Sequence, residues 1–317
     1  MSNERKKIQK EIFKEEFNTF CNKKFGREIE NIEKQRKFYL LGITIGILIA
    51  TVGSFFLYLA LAEIAAREGY RDIVQFIFVP ASIGILLSVF LQKRYKTKVK
   101  NIILPQLLRF IGDFKQIKLT PDEKILEIER IKKLMFINTF NNWEIDDCID
   151  GNYKGLDIQI RELNLTRVTG YGKSKRVERI FKGILIKCPS YKKFEGYTIV
   201  AKNKEYFSFG EQVKLEDMEF EKHYDVRSSN QIEARFLITT AFMKRMIAIK
   251  KSPNLKNITL SFENNNIYIA VHSTKDWFEI PIWKKANKIE NYRAIVLELL
   301  SILSIIETLK LEQNIGL

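Results

Sequence analysis

The sequence predicts an α+β protein, with an N-terminal two-helix transmembrane hairpin followed by a cytoplasmic, mainly antiparallel β domain with packed helices. Three observations carry this. Two long runs, Phe38–Ala62 and Ile73–Leu91, contain no charged residue. From about residue 145 the apolar residues recur with period two, the spacing of strands with one face buried. Helical spacing returns near residues 230–250 and 290–311. The expected organisation is a cytoplasmic amphipathic helix over 1–37, a transmembrane hairpin over 38–92 and a cytoplasmic α+β domain over 93–317.

Composition sets the outer limits. The 317 residues suffice for two domains, or for one large domain with an anchor. A hydrophobic share of 46% with only 6 Pro and 15 Gly excludes a disordered chain, which lacks the apolar residues to offset its ordering entropy. Three scattered Cys exclude a disulfide framework and disfavour a Cys-based zinc site, and two His narrow the acid–base menu.

Residues 5–36 read as a charged amphipathic helix, with Ile8, Ile12, Phe13, Phe17, Phe20 and Phe25 near helical spacing. Its apolar face is expected on the body or against the membrane. The run at 38–62 has 25 residues and the run at 73–91 has 19, against about 20 needed to cross a hydrocarbon core of about 30 Å. The first run begins behind eleven Lys/Arg, too far along the chain for an ordinary cleavable signal. The linker Glu63–Asp72 offsets Arg67 and Arg71 with three carboxylates. Lys93, Arg94, Lys96, Lys98 and Lys100 follow the second run. The positive-inside bias places both termini in the cytoplasm. Of the net +15, residues 1–37 carry +4, the linker −1 and residues 93–317 +12.

Small residues form rows within the spans: Gly42, Gly46 and Ala50, continued by Ser54, and Gly84 with Ser88. Such rows let helix backbones approach closely in lipid. Packing within one chain and a homodimer seam both fit, so a homo-oligomer stays open. No ionisable residue lies in either span, which argues against a proton or ion path. The five cations at 93–100 are candidate contacts for anionic lipid headgroups; the plainer reading is that they only fix topology.

In the body, Val99–Phe114 has helical spacing with Pro105 inside it, so a kink or two pieces is expected. Thr120-Pro121-Asp122-Glu123 is a helix start with Thr as N-cap and Glu at N3, and the helix is expected to reach Phe140. CIDGNYKGLDIQIRELNL reads as a hairpin with turn-forming Gly-Asn and Lys-Gly and alternation in Leu156, Ile158 and Ile160. Further strands are expected at Arg179–Lys187, Tyr197–Ala201 and Tyr224–Arg227. Asn230 with Glu233 forms a capping box opening one helix to about Lys250, with Ile232, Phe236, Met243 and Ile247 on one face. Ile258–Phe262 and Ile267–Val271 flank a turn at Glu263–Asn266. A core helix over about 290–311, with a polar stripe of Ala294, Glu298, Ser301 and Thr308, closes the chain.

Chemical motifs are few. Gly170-Tyr171-Gly172-Lys173-Ser174 resembles the end of a phosphate loop, but Arg167 stands where the motif needs Gly and a strand is expected where a helix should follow. Cys21, Cys148 and Cys188 are joined to His223 or His272 by no local signature. Asp146, Asp147 and Asp150, near Glu144, can gather a divalent cation. They lack an EF-hand pattern, and a solvated turn is favoured. No nucleic-acid module accompanies the basic runs. The sequence therefore assigns no catalytic residue, no metal ligand and no cofactor.

The stretch Phe220–Met246 (FEKHYDVRSSNQIEARFLITTAFMKRM) resembles a bacterial membrane family, domain-of-unknown-function family 3137. The resemblance rests on Phe220, Val226, Ser229, Gln231, Ala234, Arg235, Ala241, Phe242 and Met243. Asp147–Gly151, Phe181-Lys182-Gly183, Ser261-Phe262 and Ile267–Ala270 support it. Tyr224 keeps an aromatic that the family usually has, Asn230 replaces a frequent acidic residue, and Thr240 stands where Pro is common. The resemblance implies a bacterial inner-membrane protein often encoded near LemA-type proteins, which makes such a protein an expected partner; it implies no reaction. The expectation that follows is a membrane-anchored, cytoplasmic-facing binding or scaffold protein. The alternative is a membrane-tethered, hydrolase-like enzyme using the Asp146/Asp147/Asp150 cluster.

Overall fold

No Gly, Pro or capping residue lies between Gln35 and Phe38, so nothing stops the charged N-terminal helix before the apolar run begins. In the computed structural model the two are accordingly one helix, α1 (Ser2–Glu68), with a kink at Phe25 (φ −145°, ψ 26°). The structure describes residues 2–68, 78–134, 136–137, 140–202, 210–250 and 257–311, with side chains of α1 from 11 to 62. The linker residues 69–72 and residues 73–77 of the second apolar run lie outside the described residues, as do the side chains of 63–68 and of Ile8. Among the described residues one helix, Glu11–Ala62, is long and apolar enough to cross a membrane by length and composition. Where the sequence predicts a two-helix hairpin, the structure therefore gives one long apolar helix and α2 (Phe78–Ile111).

The chain divides into two compact units. The first comprises residues 1–104 and 278–295, the second residues 105–277 and 296–317. In the first unit Phe17, Cys21, Phe25, Ile29 and Ile32 form a buried stripe on α1. Their spacing of three or four keeps them on one face. The Phe25 ring meets Tyr292 edge-on at 6.1 Å, and Arg293 Nη2 donates to Asn18 Oδ1. Ile12, expected on this face, is exposed.

Among the described residues, the second unit is built on a nine-stranded antiparallel sheet. Its strands are β1 (Asp113–Gln116), β2 (Asn142–Tyr153), β3 (Leu156–Thr169), β4 (Arg176–Pro189), β5 (Tyr197–Lys202), β6 (Glu211–Gln212), β7 (Tyr224–Ser228), β8 (Ile258–Glu263) and β9 (Asn266–His272). Their order is β1-β2-β3-β4-β9-β8-β5-β7-β6. The helices are α3 (Pro121–Lys132), α4 (Met218–Glu221), α5 (Gln231–Leu237), α6 (Thr240–Lys250) and α7 (Ile289–Leu309). Every residue of β8 is buried, so both sheet faces are covered at its centre.

Local chemistry explains most boundaries. Thr120 accepts from Glu123 N–H and Glu123 reaches back to Thr120 N–H, a complete capping box at α3. Lys154 and Gly155 both have positive φ, giving the two-residue turn that joins β2 to β3; Asn264 and Asn265 do the same between β8 and β9. Gly151 makes no turn. It lies inside β2, where a Cβ would fall 2.4 Å from Phe114 Cδ1, so Gly lets β1 pair there. Edge strands β1 and β6, of four and two residues, are too short to show a period.

Three helices differ from expectation. Pro105 lies within α2, which continues to Ile111, and Phe114 belongs to β1. Helix α3 stops at Lys132 rather than near Phe140, because Leu134, Phe136, Ile137 and Phe140 all turn into one core with Ile128, Ile131, Leu163 and Phe181. The single helix expected over 230–250 is broken at Ile238 (φ −94°, ψ 71°). Asn230 caps α5, but Glu233 donates no help to it: its carboxylate accepts from Glu195 and Gly196 N–H at 3.1 Å. Thr239 Oγ1 then accepts from Phe242 N–H and starts α6 afresh. The break rotates the two pieces, leaving Ile232 and Phe236 exposed while Met243 and Ile247 are buried.

Candidate functional site

The strongest cluster of chemical groups lies in a β-bulge. Pairing of β2 with β3 steps from Ile145↔Leu163 to Cys148↔Arg161, so Asp146 and Asp147 together oppose Glu162. Two residues against one is the signature of a bulge, which re-aims side chains. Carboxylate oxygens of Asp146, Asp147 and Glu162 lie within 4.8 Å of one another. Asp147 and Glu162 are buried and Asp146 is exposed. Gln116 Nε2 donates to Asp147 Oδ1 at 3.5 Å, and Trp277 N–H donates to Glu162 Oε1 at 2.8 Å. Three carboxylates at this spacing suit a hard divalent cation, or share a proton to relieve like-charge repulsion.

This corrects the grouping read from sequence. Asp150 leaves the cluster because buried Arg161 claims it: Arg161 Nη1 meets Asp150 Oδ1 at 2.5 Å and Arg161 Nε meets Glu127 Oε1 at 3.2 Å. Glu144 is exposed and pairs in register with Asn164. Glu162 is the missed residue. Its signal was parity, since it continues the buried series Leu156, Ile158, Ile160 with a carboxylate.

The remaining motifs fare differently. Gly170–Ser174 forms the tip of the β3–β4 hairpin, where Ser174 Oγ donates to Tyr171 O and a strand follows, so the phosphate-loop geometry is missing. All three cysteines are buried, which pushes the thiol of Cys148 up to about 11 and those of Cys21 and Cys188 to about 12. None is a thiolate nucleophile at neutral pH. The two histidines, His223 and His272, line one cavity of about 350 Å³ with Lys202, Lys250 and Thr259. Burial holds His272 below the ordinary imidazole value, and its Nε2 lies 3.4 Å from Thr259 Oγ1.

In the first unit, a Cβ at Gly84 would fall 2.5 Å from Ala50 Cβ and 3.4 Å from Gly46 O. A Cβ at Gly46 would lie 3.3 Å from Leu87, and one at Gly42 would lie 3.5 Å from Leu91. Buried Ser88 donates to Gly84 O at 2.8 Å. The structure thus brings Gly46, Ala50 and Gly84 together. The five cations after the second run divide by helix face. Lys96 pairs with Glu279 at 2.5 Å, and buried Lys100 lies 3.7 Å from the same carboxylate. Lys93, Arg94 and Lys98 are exposed.

Residues 179–311 match the model of a family described as "Protein of unknown function (DUF3137)". The resemblance to that family is real. The matched stretch runs from β4 to the end of α7 and includes Phe220–Met246; Asp147–Gly151 lies before it. Position 240, where that family commonly has Pro, is the first residue of α6, where a missing N–H is tolerated. No curated protein matches the chain. Among solved structures, the crystal structure of the mycobacterial trehalose monomycolate transport factor A, TtfA, is similar at a TM-score of 0.36 and 10% identity, covering 66% of this chain and 95% of that one. A likeness of that size carries no argument about fold or function.

Proposed function

We propose that this protein is a membrane-anchored binding or scaffold protein of the bacterial inner membrane, presenting its α+β body at the cytoplasmic face. In this reading both apolar runs cross the bilayer and both termini are cytoplasmic. A single observation carries it: one helix changes surroundings along its length. Its residues 17–32 bury an apolar stripe in protein, while Phe38, Leu48, Ile49, Phe55 and Phe56 are each at least 59% exposed. Only 11% of the most apolar stretch is buried. A core helix of a soluble protein would be covered, and an exposed apolar band of this size calls for lipid. Confinement of the body to the membrane is then its physical contribution, with exposed Arg94 and Lys98 facing anionic headgroups. The partner held there, a LemA-type protein by family resemblance, is a protein of the same membrane. Extraction of membranes with alkaline carbonate tests the anchor: the full chain should stay in the pellet, and release into the supernatant would contradict it.

The carboxylate bulge favours a second reading, a membrane-tethered enzyme in which Asp146, Asp147 and Glu162 hold a divalent cation that activates water for hydrolysis. Titration calorimetry with Mn²⁺ decides it. Saturable binding lost in Asp147→Asn supports the enzyme, and no heat in the wild-type chain removes it.

A further inference from the structure

The segment Phe278–Lys288 in the first unit is tied to both of its long helices. Glu33 and Arg36 of α1 form a buried pair, and each holds the loop: Arg36 Nη1 donates to Ile282 O at 3.1 Å, and Glu33 Oε2 accepts from Ala286 N–H at 2.7 Å. On α2, Lys96 and Lys100 hold Glu279. Phe278, Ile280, Ile282 and Ala286 are buried, so the loop is fixed by packing as well as by polar contacts. Trp283 is the exception: it is 65% exposed, with Lys284, Lys285 and Lys288 exposed after it.

The attachment points give this loop a level. Arg36 precedes Phe38, the first residue of the apolar run, by two residues, about 3 Å along a helix; Glu33 precedes it by about 7.5 Å. Ile282 is therefore bound nearer the apolar run than Ala286 is. The headgroup layer on each side of a bilayer is about 5–8 Å deep. Exposed Lys34 and Lys37 of α1 and Arg94 and Lys98 of α2 flank the same level, while Glu33 and Glu279 are engaged in pairs and Glu290 is the exposed carboxylate that follows the loop. Trp favours the membrane–water boundary because its ring is apolar and its N–H is polar, and lysines beside it attract anionic lipid.

We propose that the loop around Trp283 is a second membrane contact, with the indole seated in the headgroup layer and Lys284 and Lys285 on anionic lipid headgroups. This rests on the anchor reading and adds to it a surface that grips the leaflet from outside the spans. The bilayer is the occupant the geometry supports, because the loop's fixed ends lie where the apolar run begins.

The test uses the full chain reconstituted in vesicles of 3:1 phosphatidylcholine to phosphatidylglycerol, with the phosphatidylcholine brominated to quench tryptophan emission. Wild-type emission should be quenched, and Trp283→Phe should remove most of the quenched component, since Trp277 is buried and Trp143 is partly buried against the core of its own sheet. Lys284→Gln with Lys285→Gln should weaken quenching in these vesicles and leave it unchanged in brominated phosphatidylcholine alone. Equal quenching in wild type and Trp283→Phe would overturn the proposal, as would quenching of Trp283 by aqueous iodide to the same extent with and without vesicles; the latter would mark the loop as open to solvent or to a protein partner. Co-flotation separates the two readings. A chain that floats with vesicles but keeps Trp283 unquenched sinks only the loop contact, whereas a chain that does not float sinks the anchor and the contact together.

Discussion

Glu33 and Arg36 meet at 2.6 Å in a buried pair one turn before the apolar run of α1, and the same two side chains hold the backbone of Ile282 and Ala286. A chain segment some 250 residues away is thereby fixed to α1 just before its apolar run. Removing one partner of such a pair leaves the other charge buried and uncompensated, a loss of about 3 kcal/mol. Arg36→Met should lower the thermal unfolding midpoint of the full chain in detergent, and the double replacement Glu33→Leu/Arg36→Met should be less damaging than the single one.

The pair also sets a pH dependence. The hydrogen bond from Arg36, foremost, holds the Glu33 carboxyl below its ordinary value. A carboxyl with a lowered folded-state pKa contributes stability that is present above the unfolded value, near 4.3, and is lost as pH falls through the folded value. Melting curves below about pH 4 should therefore lose stability faster in wild type than in Glu33→Gln. Parallel curves would assign the acid response to other carboxylates.

Gly84 tests how closely α1 and α2 approach. A side chain there meets Ala50 Cβ at 2.5 Å, whereas one at Gly53 meets Pro80 Cβ at 3.7 Å. Gly84→Leu should destabilise the detergent-solubilised chain markedly, and Gly53→Ala should be nearly neutral. Equal effects would mean that these helices separate in solution.

Much of the fold was legible because its signals are local. The Thr120 capping box, the Lys154-Gly155 turn and the alternation of Leu156, Ile158 and Ile160 each depend on a few neighbouring residues. The break at Ile238 was not, because residues 231–250 keep helical spacing throughout and only the capture of Glu233 by Glu195 and Gly196, 38 and 37 residues earlier, reveals a competing geometry. The candidate site divides the same way. Asp146 and Asp147 stand together in sequence, but Glu162 joins them only through the bulge register, and Asp150 departs only because Arg161 is folded beside it.

The break at Ile238 makes its own prediction. Thr240→Pro should be tolerated, changing stability by no more than about 1 kcal/mol, because Pro fits the first position of a helix. Met243→Pro, inside α6, should cost about 3 kcal/mol or more. Chemical denaturation of the two variants side by side checks the placement of the helix start.

The central claim is that α1 crosses the membrane and leaves the body in the cytoplasm, and substituted-cysteine labelling in intact bacteria tests it most directly. The native background is low, since Cys21, Cys148 and Cys188 are all buried. Cysteine placed at Lys173, on the exposed tip of the β3–β4 hairpin, should react with a membrane-impermeant maleimide only after the cells are opened, and cysteine at Glu68, beyond the first apolar run, should react in intact cells. Labelling of position 173 in intact cells would contradict the account.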